Sequence, residues 1–265
     1  MKRLLLRADD LGFSEAVNHG IAATVERGLI RNCGVMVNMA ATEHAVRLFE
    51  RIPCCLGLHC NVSVGRPVLK PEQVPTLVNE NGLFHSSREY RNAREEFASV
   101  NDLVRELTAQ YRRFVQLFGR RPAYFEAHAV ESRNLAVALE RVAREHGLFY
   151  QPSFQDFCLG TTHVTNIPIR SMAPDYDART ALMRALADVG EDGCYLYVCH
   201  PGYLDAYLLR NSSLTLARAD EADMLCDPET GQWLSRRGWI LTTYDELARG
   251  DSPSDGSKAN SERTD

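Results

Sequence analysis

The sequence is short of positive charge. Its 265 residues carry 30 lysines and arginines against 35 aspartates and glutamates, a formal net charge of −5. No basic stripe is left over to neutralise a row of phosphates, which excludes a nucleic-acid partner. Long apolar runs are missing as well, so no membrane span is expected. The opening Met1-Lys2-Arg3-Leu4-Leu5-Leu6 looks like the start of a secretion signal, but Arg7, Asp9 and Asp10 break it before an apolar region can form. A cytoplasmic protein is the expectation. The eight cysteines, at 33, 54, 55, 60, 158, 194, 199 and 226, include no C-x-x-C pair, which excludes a zinc ribbon and points to free, mostly packing thiols. No internal repeat is present. The chain therefore reads as one domain over residues 1–248, followed by a tail over 249–265 in which Ser, Asp, Gly, Lys and Asn replace the apolar residues and disorder is expected.

What is present is a strand-helix rhythm. Leu4-Leu5-Leu6 lacks the alternation of a half-exposed strand, as in a parallel sheet covered on both faces. It runs into Asp9 and Asp10, and Gly12 and Ser14 then begin a turn and a helix over Glu15 to Arg27, with Val17, Ile21 and Val25 on one face. Further strands are predicted at Val35–Met39, Cys54–Cys60, Ala123–His128, Leu148–Tyr150, around Asn166–Ile169, at Cys194–Cys199 and at Trp239–Thr242. Helices are predicted between most of them. From Asn61 to Tyr90 the rhythm stops, and Gly65, Pro67, Pro71, Pro75, Asn79, Asn81 and Gly82 mark a long excursion that is expected to cover a substrate.

Four apolar runs end in residues able to bind a metal or move a proton: Asp9 and Asp10, His59, His128 and His200. Strand ends of this kind are where sites of α/β folds are built. Adjacent carboxylates at a buried strand end repel each other unless something positive lies between them, which points to a cation. Asp10, His59 and His128 would supply one carboxylate and two imidazoles and leave positions open for water and substrate, a set that suits zinc and tolerates other divalent ions. Asp9 and Asp10 can share that site only if the chain leaves extended geometry between them, because neighbouring strand residues face opposite ways. A nucleophilic thiol at Cys60 or Cys199 would point away from its neighbouring histidine for the same reason.

Ala8-Asp9-Asp10-Leu11-Gly12, Gly57-Leu58-His59 with Gly65-Arg66-Pro67, Glu126-Ala127-His128 and His200-Pro201-Gly202, in this order, resemble the YdjC-like family, which contains chitooligosaccharide deacetylases. The resemblance runs over nearly the whole chain except the tail. It implies an α/β fold, a modified, incomplete (β/α) barrel of the polysaccharide-deacetylase type with mostly parallel strands. It also implies one divalent ion, magnesium or zinc, held by Asp10, His59 and His128, with Asp9 as catalytic base. The expected reaction is removal of an N-acetyl group from an amino sugar or short oligosaccharide by a metal-bound water, with His200 protonating the departing amine and Asn61 and Arg66 contacting sugar hydroxyls. The chain departs from the usual pattern at Glu126, Ala127 and Val130, where family members carry Asp, Ser and a second histidine, so the family's best-known substrate is not carried over. A homodimer is the expected assembly if one forms. Three other readings compete: a metal-dependent phosphoesterase on the same residues, a glycosidase using Asp9 and Glu126, and an inactive carbohydrate-binding relative.

Overall fold

The structure, a computed structural model, describes residues 1–168 and 170–250. Eight strands form one sheet: β1 (Lys2–Leu11), β2 (Asn32–Val35), β3 (Cys55–Cys60), β4 (Phe125–Ala127), β5 (Phe157–Leu159), β6 (Thr162–Asn166), β7 (Gly193–Cys199) and β8 (Trp239–Leu241). Their order is β4-β3-β2-β1-β7-β6-β5, and β8 pairs with the first half of β1. All pairings are parallel except that of β5 with β6. Ten α-helices accompany them: α1 (Glu15–Glu26), α2 (Thr42–Phe49), α3 (Ser87–Asn92), α4 (Val100–Phe118), α5 (Arg133–His146), α6 (Ala178–Ala187), α7 (Ala206–Asn211), α8 (Leu216–Cys226), α9 (Pro228–Arg236) and α10 (Tyr244–Arg249). Among the described residues no helix is long and apolar enough to cross a membrane.

The sheet is strongly curled. Arg7 of β1 donates to the side chain of Gln151, which lies beyond β4. In a flat sheet that is four strand spacings, about 19 Å, far longer than an arginine side chain. The molecule is therefore an α/β half-barrel with an inside and an outside.

Strand alternation then sorts the side chains. Leu4, Leu6 and Ala8, with Leu56, Leu58 and Cys60, pack outward in the larger core beneath the helices. Leu5, Cys55, Tyr124, Cys194, Leu196 and Val198 point inward and join Tyr244 and Phe157 in a smaller core that fills the foot of the barrel. Continuing the inward parity toward the carboxyl ends of these strands gives Arg7 and Asp9, Gly57 and His59, Glu126 and His128, and His200. The polar site thus stands on an apolar foot.

Several elements sit elsewhere than the sequence predicts. β2 begins at Asn32 instead of Val35, because Asn32 is not a turn residue here: its amide donates to the carbonyls of Leu6 and Thr242, tying β1 to the end of β8. The strand expected over Asn166–Ile169 lies earlier, at Thr162–Asn166, and Ile169 is outside the described residues. Leu148–Tyr150 adds only a single bridge, between Tyr150 and Phe125. At the carboxyl end α10 runs to Arg249 and Gly250 closes it in left-handed conformation, whereas the rest of the expected tail is outside the described residues.

The excursion after β3 is held down rather than free. Val74, Leu77 and Phe84 are buried. Glu106 of α4 accepts from the backbone of Val68 and Leu69, and Asp102 accepts from Thr76. Only its two ends, at Val64 and at Ser87 and Arg91, border the central cavity.

Candidate active site

The two aspartates are brought together by a break in β1. Asp9 follows the inward parity, whereas Asp10 would face the helices in an extended chain. Asp10 instead has φ 73°, and the pairing of β1 with β2 shifts between Ala8 and Leu11. That left-handed residue turns the Asp10 carboxylate inward beside His59 and His128. Gly12 follows because a Cβ there would lie 2.5 Å from the Met36 carbonyl. Ser14 then caps α1 by accepting from Val17, 3.2 Å away. Gly34 on β2 makes room from the side, since its Cβ would lie 2.6 Å from Asp9 Oδ1.

Three donor atoms converge. Asp10 Oδ1 lies 3.2 Å from His59 Nε2 and 3.0 Å from His128 Nδ1, and the two ring nitrogens are 2.9 Å apart. Asp10 Oδ1 is buried and has no hydrogen-bond partner. The far nitrogen of His59, Nδ1, bonds the Glu126 carboxylate, which leaves Nε2 facing the centre, the orientation by which carboxylates hold metal-binding imidazoles. Burial pushes the His59 pKa down, but Glu126, Asp9 and Asp10 outweigh it and hold it well above the ordinary 6.5. The local field therefore favours a cation. With His59 and His128 neutral, as metal ligation requires, the three carboxylates Asp9, Asp10 and Glu126 meet only two guanidiniums, Arg7 and Arg218, which leaves one negative charge in excess. By donor chemistry, geometry and charge the residues fit a divalent ion. A second set, Asp9, His59 and Glu126, also converges, but Arg7 already stands between its carboxylates.

The rest of the cluster holds these groups in place. Arg7 Nη2 donates to Asp9 Oδ2 at 2.7 Å and lies 3.5 Å from Glu126 Oε2, while Nη1 donates to Gln151 and Tyr244. Asp9 Oδ1 is left buried and without a partner. Arg218 of α8 donates to Asp10 Oδ2 at 2.6 Å. Burial opposes the charge on Asp10, yet Arg218, His128 and His59 hold its carboxyl well below the usual range. Glu221, one helical turn from Arg218, accepts from the His200 backbone N–H and from the Tyr176 hydroxyl, and burial pushes its pKa up to about 7. His200 Nδ1 is buried without a partner, and burial drives the pKa of His200 down to about 4 against the pull of Asp10 and Asp9.

Asp9, Asp10, His59, His128 and His200 all line one cavity of about 630 Å³. Asn61 and Arg66 do not reach it. Asn61 is fully buried, donating to Asn38 and Val64 and accepting from Ser63 and Val64, so it builds the turn after β3. Arg66 directs its guanidinium to the Gly82 carbonyl. Cys60 and Cys199 face the outer core, and burial raises both thiols well above their ordinary pKa. The sequence reading missed Arg7, Arg218 and Glu221. Arg7 carried a signal, since an arginine two residues before Asp9 in an apolar strand shares its face. Arg218 and Glu221 lie on a helix whose weak amphipathic pattern gives no such clue.

Proteins of similar sequence include carbohydrate deacetylase 2 of Listeria innocua, 31% identical over 93% of this chain and 99% of its own length. The carbohydrate deacetylase of Geobacillus stearothermophilus is 32% identical over 92% and 97%, and the chitooligosaccharide deacetylase of Serratia marcescens 28% over 93% and 99%. Among solved structures, an Enterococcus faecalis protein provisionally described as a cellobiose-phosphate cleavage protein superposes with a TM-score of 0.78 at 21% identity, over 93% of this chain and 99% of that one. A family 4 acetyl xylan esterase of Clostridium thermocellum, in complex with a cobalt ion, superposes at 0.53 with 13% identity, over 94% and 93%; both likenesses are of fold. The YdjC-like protein model matches residues 3–236, and with that span and the Asp9-Asp10 break, His59 and His128 at one strand-end site, the chain belongs to the YdjC-like family.

Proposed function

We propose that the protein is a carbohydrate deacetylase, a hydrolase that cleaves the N-acetyl amide of an amino sugar in the cavity above the barrel foot, and that it does so with a divalent ion. The observation that carries this reading is the different surroundings of the two adjacent aspartates. Asp10 faces His59 and His128, while Asp9 is tied to Arg7 through one oxygen and keeps the other buried and unpartnered. Relatives about 30% identical over nearly the whole chain are carbohydrate deacetylases.

Asp10, His59 and His128 would hold the ion. When bound, such an ion polarises an amide carbonyl and makes water acidic enough to lose a proton at neutral pH. Asp9 Oδ1 is the acceptor for that proton, and the Arg7 contact keeps the carboxylate oriented toward the cavity. Once protonated, Asp9 carries the proton that the departing amine requires. His200 is neutral at rest because of its burial, so its role is that of an N–H donor to the reacting amide in place of a charged acid.

A phosphoesterase fits less well, because Arg7 and Arg218 are already paired with carboxylates and offer little charge to a phosphate. A glycosidase would need Glu126, which His59 and Arg7 occupy. The test is acetate release from N-acetylated sugars by metal-loaded protein, with wild type and Asp9→Asn side by side. Acetate from wild type and a loss of roughly two to four orders of magnitude in the variant, at equal metal content, is expected. An inert wild type with bound metal and bound sugar would instead mean a carbohydrate-binding relative.

A further inference from the structure

A donor is left over in the cavity after Arg7 and Arg218 have been paired with carboxylates. Gln151 lines the cavity and is 4% exposed. Its backbone N–H donates to the Phe125 carbonyl, which fixes it beside β4. Its side-chain oxygen accepts from Arg7 Nη1 at 2.9 Å and from the Tyr244 hydroxyl. An arginine has no acceptor to offer, so the amide cannot be turned over and Nε2 must face away from Arg7. Nε2 has no hydrogen bond among the described residues and is not sealed in the protein, so its N–H side opens on the cavity. A polar group this deep without a partner calls for an acceptor that arrives with the substrate.

That donor is held in register with Asp9. Arg7 Nη2 donates to Asp9 Oδ2 at 2.7 Å, so adjacent nitrogens of one rigid, planar fork carry the carboxylate and the amide. Tyr244, the second anchor, is buried with its ring stacked on Tyr124, the centroids 4.0 Å apart. An N–H fixed before any substrate arrives, in a place nearly free of water, acts most strongly on an oxygen that gains charge during a reaction. Asp9 Oδ1 is the acceptor for the water proton, so the acetyl amide that the water attacks has to lie within reach of the same fork.

We propose that Gln151 is a further catalytic residue, an N–H donor to the carbonyl oxygen of the N-acetyl amide. As the water oxygen bonds to the carbonyl carbon, an electron pair of the C=O bond moves onto the carbonyl oxygen. Nε2 holds that charge by a hydrogen bond and keeps its own proton. The inference rests on the deacetylase reading and adds to it a group that acts only as the reaction proceeds.

Two substitutions separate this role from a structural one. Gln151→Glu keeps an oxygen for Arg7 and Tyr244 and replaces the donor. Gln151→Met removes both functions without adding charge, and Arg7 and Tyr244 still bond each other at 3.2 Å. On N-acetylglucosamine, at equal metal content, both variants should lose about a hundredfold in kcat with KM unchanged. A loss in Gln151→Met alone would make Gln151 a support for Arg7, and a loss in Gln151→Glu alone would be the effect of the added charge. A raised KM at constant kcat would be a contact to the resting substrate. Each of these overturns the proposal. Calorimetry separates it from the deacetylase reading, with N-acetylglucosamine and the methylphosphonamide of glucosamine as probes, the tetrahedral phosphoryl group of the latter standing in for the charged oxygen. Wild type should prefer the phosphonamide, and both variants should lose about tenfold or more of that preference while binding N-acetylglucosamine as wild type does. This result supports the donor even if no acetate is released. A phosphonamide bound alike by all three proteins, or by none, overturns it even if deacetylation is confirmed.

Discussion

At the scale of single residues the site depends on Asp10 occupying a conformation that most side chains resist. Asparagine tolerates the left-handed region at least as well as aspartate does, so Asp10→Asn should fold normally and lose metal, with activity falling as a consequence. A β-branched residue such as valine at the same place adds backbone strain of about 1–2 kcal/mol. Asp9→Asn should behave in the opposite way, keeping metal and losing turnover. Metal content and thermal unfolding of the three variants, measured together, distinguish these outcomes; metal loss in Asp9→Asn with retention in Asp10→Asn would exchange the two roles. Arg7 is the other sensitive position. Replacing it with methionine leaves Asp9 and Glu126 buried without their cation, and breaking a buried pair in this way costs about 3–5 kcal/mol. Denaturant unfolding should register that loss, and a change below about 1 kcal/mol would mean that the pair behaves like an exposed one.

At the scale of elements, the long segment after β3 behaves as a wall because α4 grips it. Glu106 accepts three hydrogen bonds, from Val68, Leu69 and Gln110, yet burial still raises its pKa above the ordinary glutamate value. A carboxyl raised on folding binds its proton more tightly in the folded state, so wild-type stability should fall as pH rises from the ordinary glutamate range through the raised value. Glu106→Gln lacks this slope. Urea unfolding of both proteins at about pH 4 and about pH 8 should show the variant gaining relative to wild type at the higher pH, and parallel behaviour would mean that Glu106 is not destabilised by its burial.

Much of this architecture was legible beforehand. The strands that deliver Asp9, His59, His128 and His200 end where their apolar runs end, and the need for a kink at Asp10 follows from strand alternation alone. What escaped were features whose cause lies across the sheet. Asn32-Cys33-Gly34 falls before the strand expected from Val35, and its place in β2 follows from Asn32 bonding the carbonyls of Leu6 and Thr242 and from Gly34 clearing space for Asp9. Asn61, expected to contact sugar hydroxyls, instead has its amide engaged in the turn after β3, with Ser63 and Val64. The short β5–β6 hairpin carries too few residues for a periodic signal.

At the scale of the whole molecule, the barrel foot and the site above it should respond to different perturbations. Leu196 is fully buried in the inner core, and Leu196→Ala should cost about 2–5 kcal/mol while leaving metal affinity close to wild type. A divalent ion that binds only the folded state at a hundred times its Kd should add about 2.7 kcal/mol. That increment should vanish in His128→Ala, as titration calorimetry and unfolding with and without the ion would show; an equal increment in the variant would remove His128 from the ion's binding set.

The half-barrel, unlike a closed one, has two edges. An open edge presents unsatisfied backbone donors and acceptors that another chain can pair with, the first step toward aggregation. Here the two outermost strands, β4 and β5, are three residues each, and β4 has already spent two of its bonds on Phe149 and Gln151. A strand arriving at either end could form only a few ladder bonds before running out of register. The incompleteness that opens this barrel for its substrate is thus kept too short to nucleate a fibre.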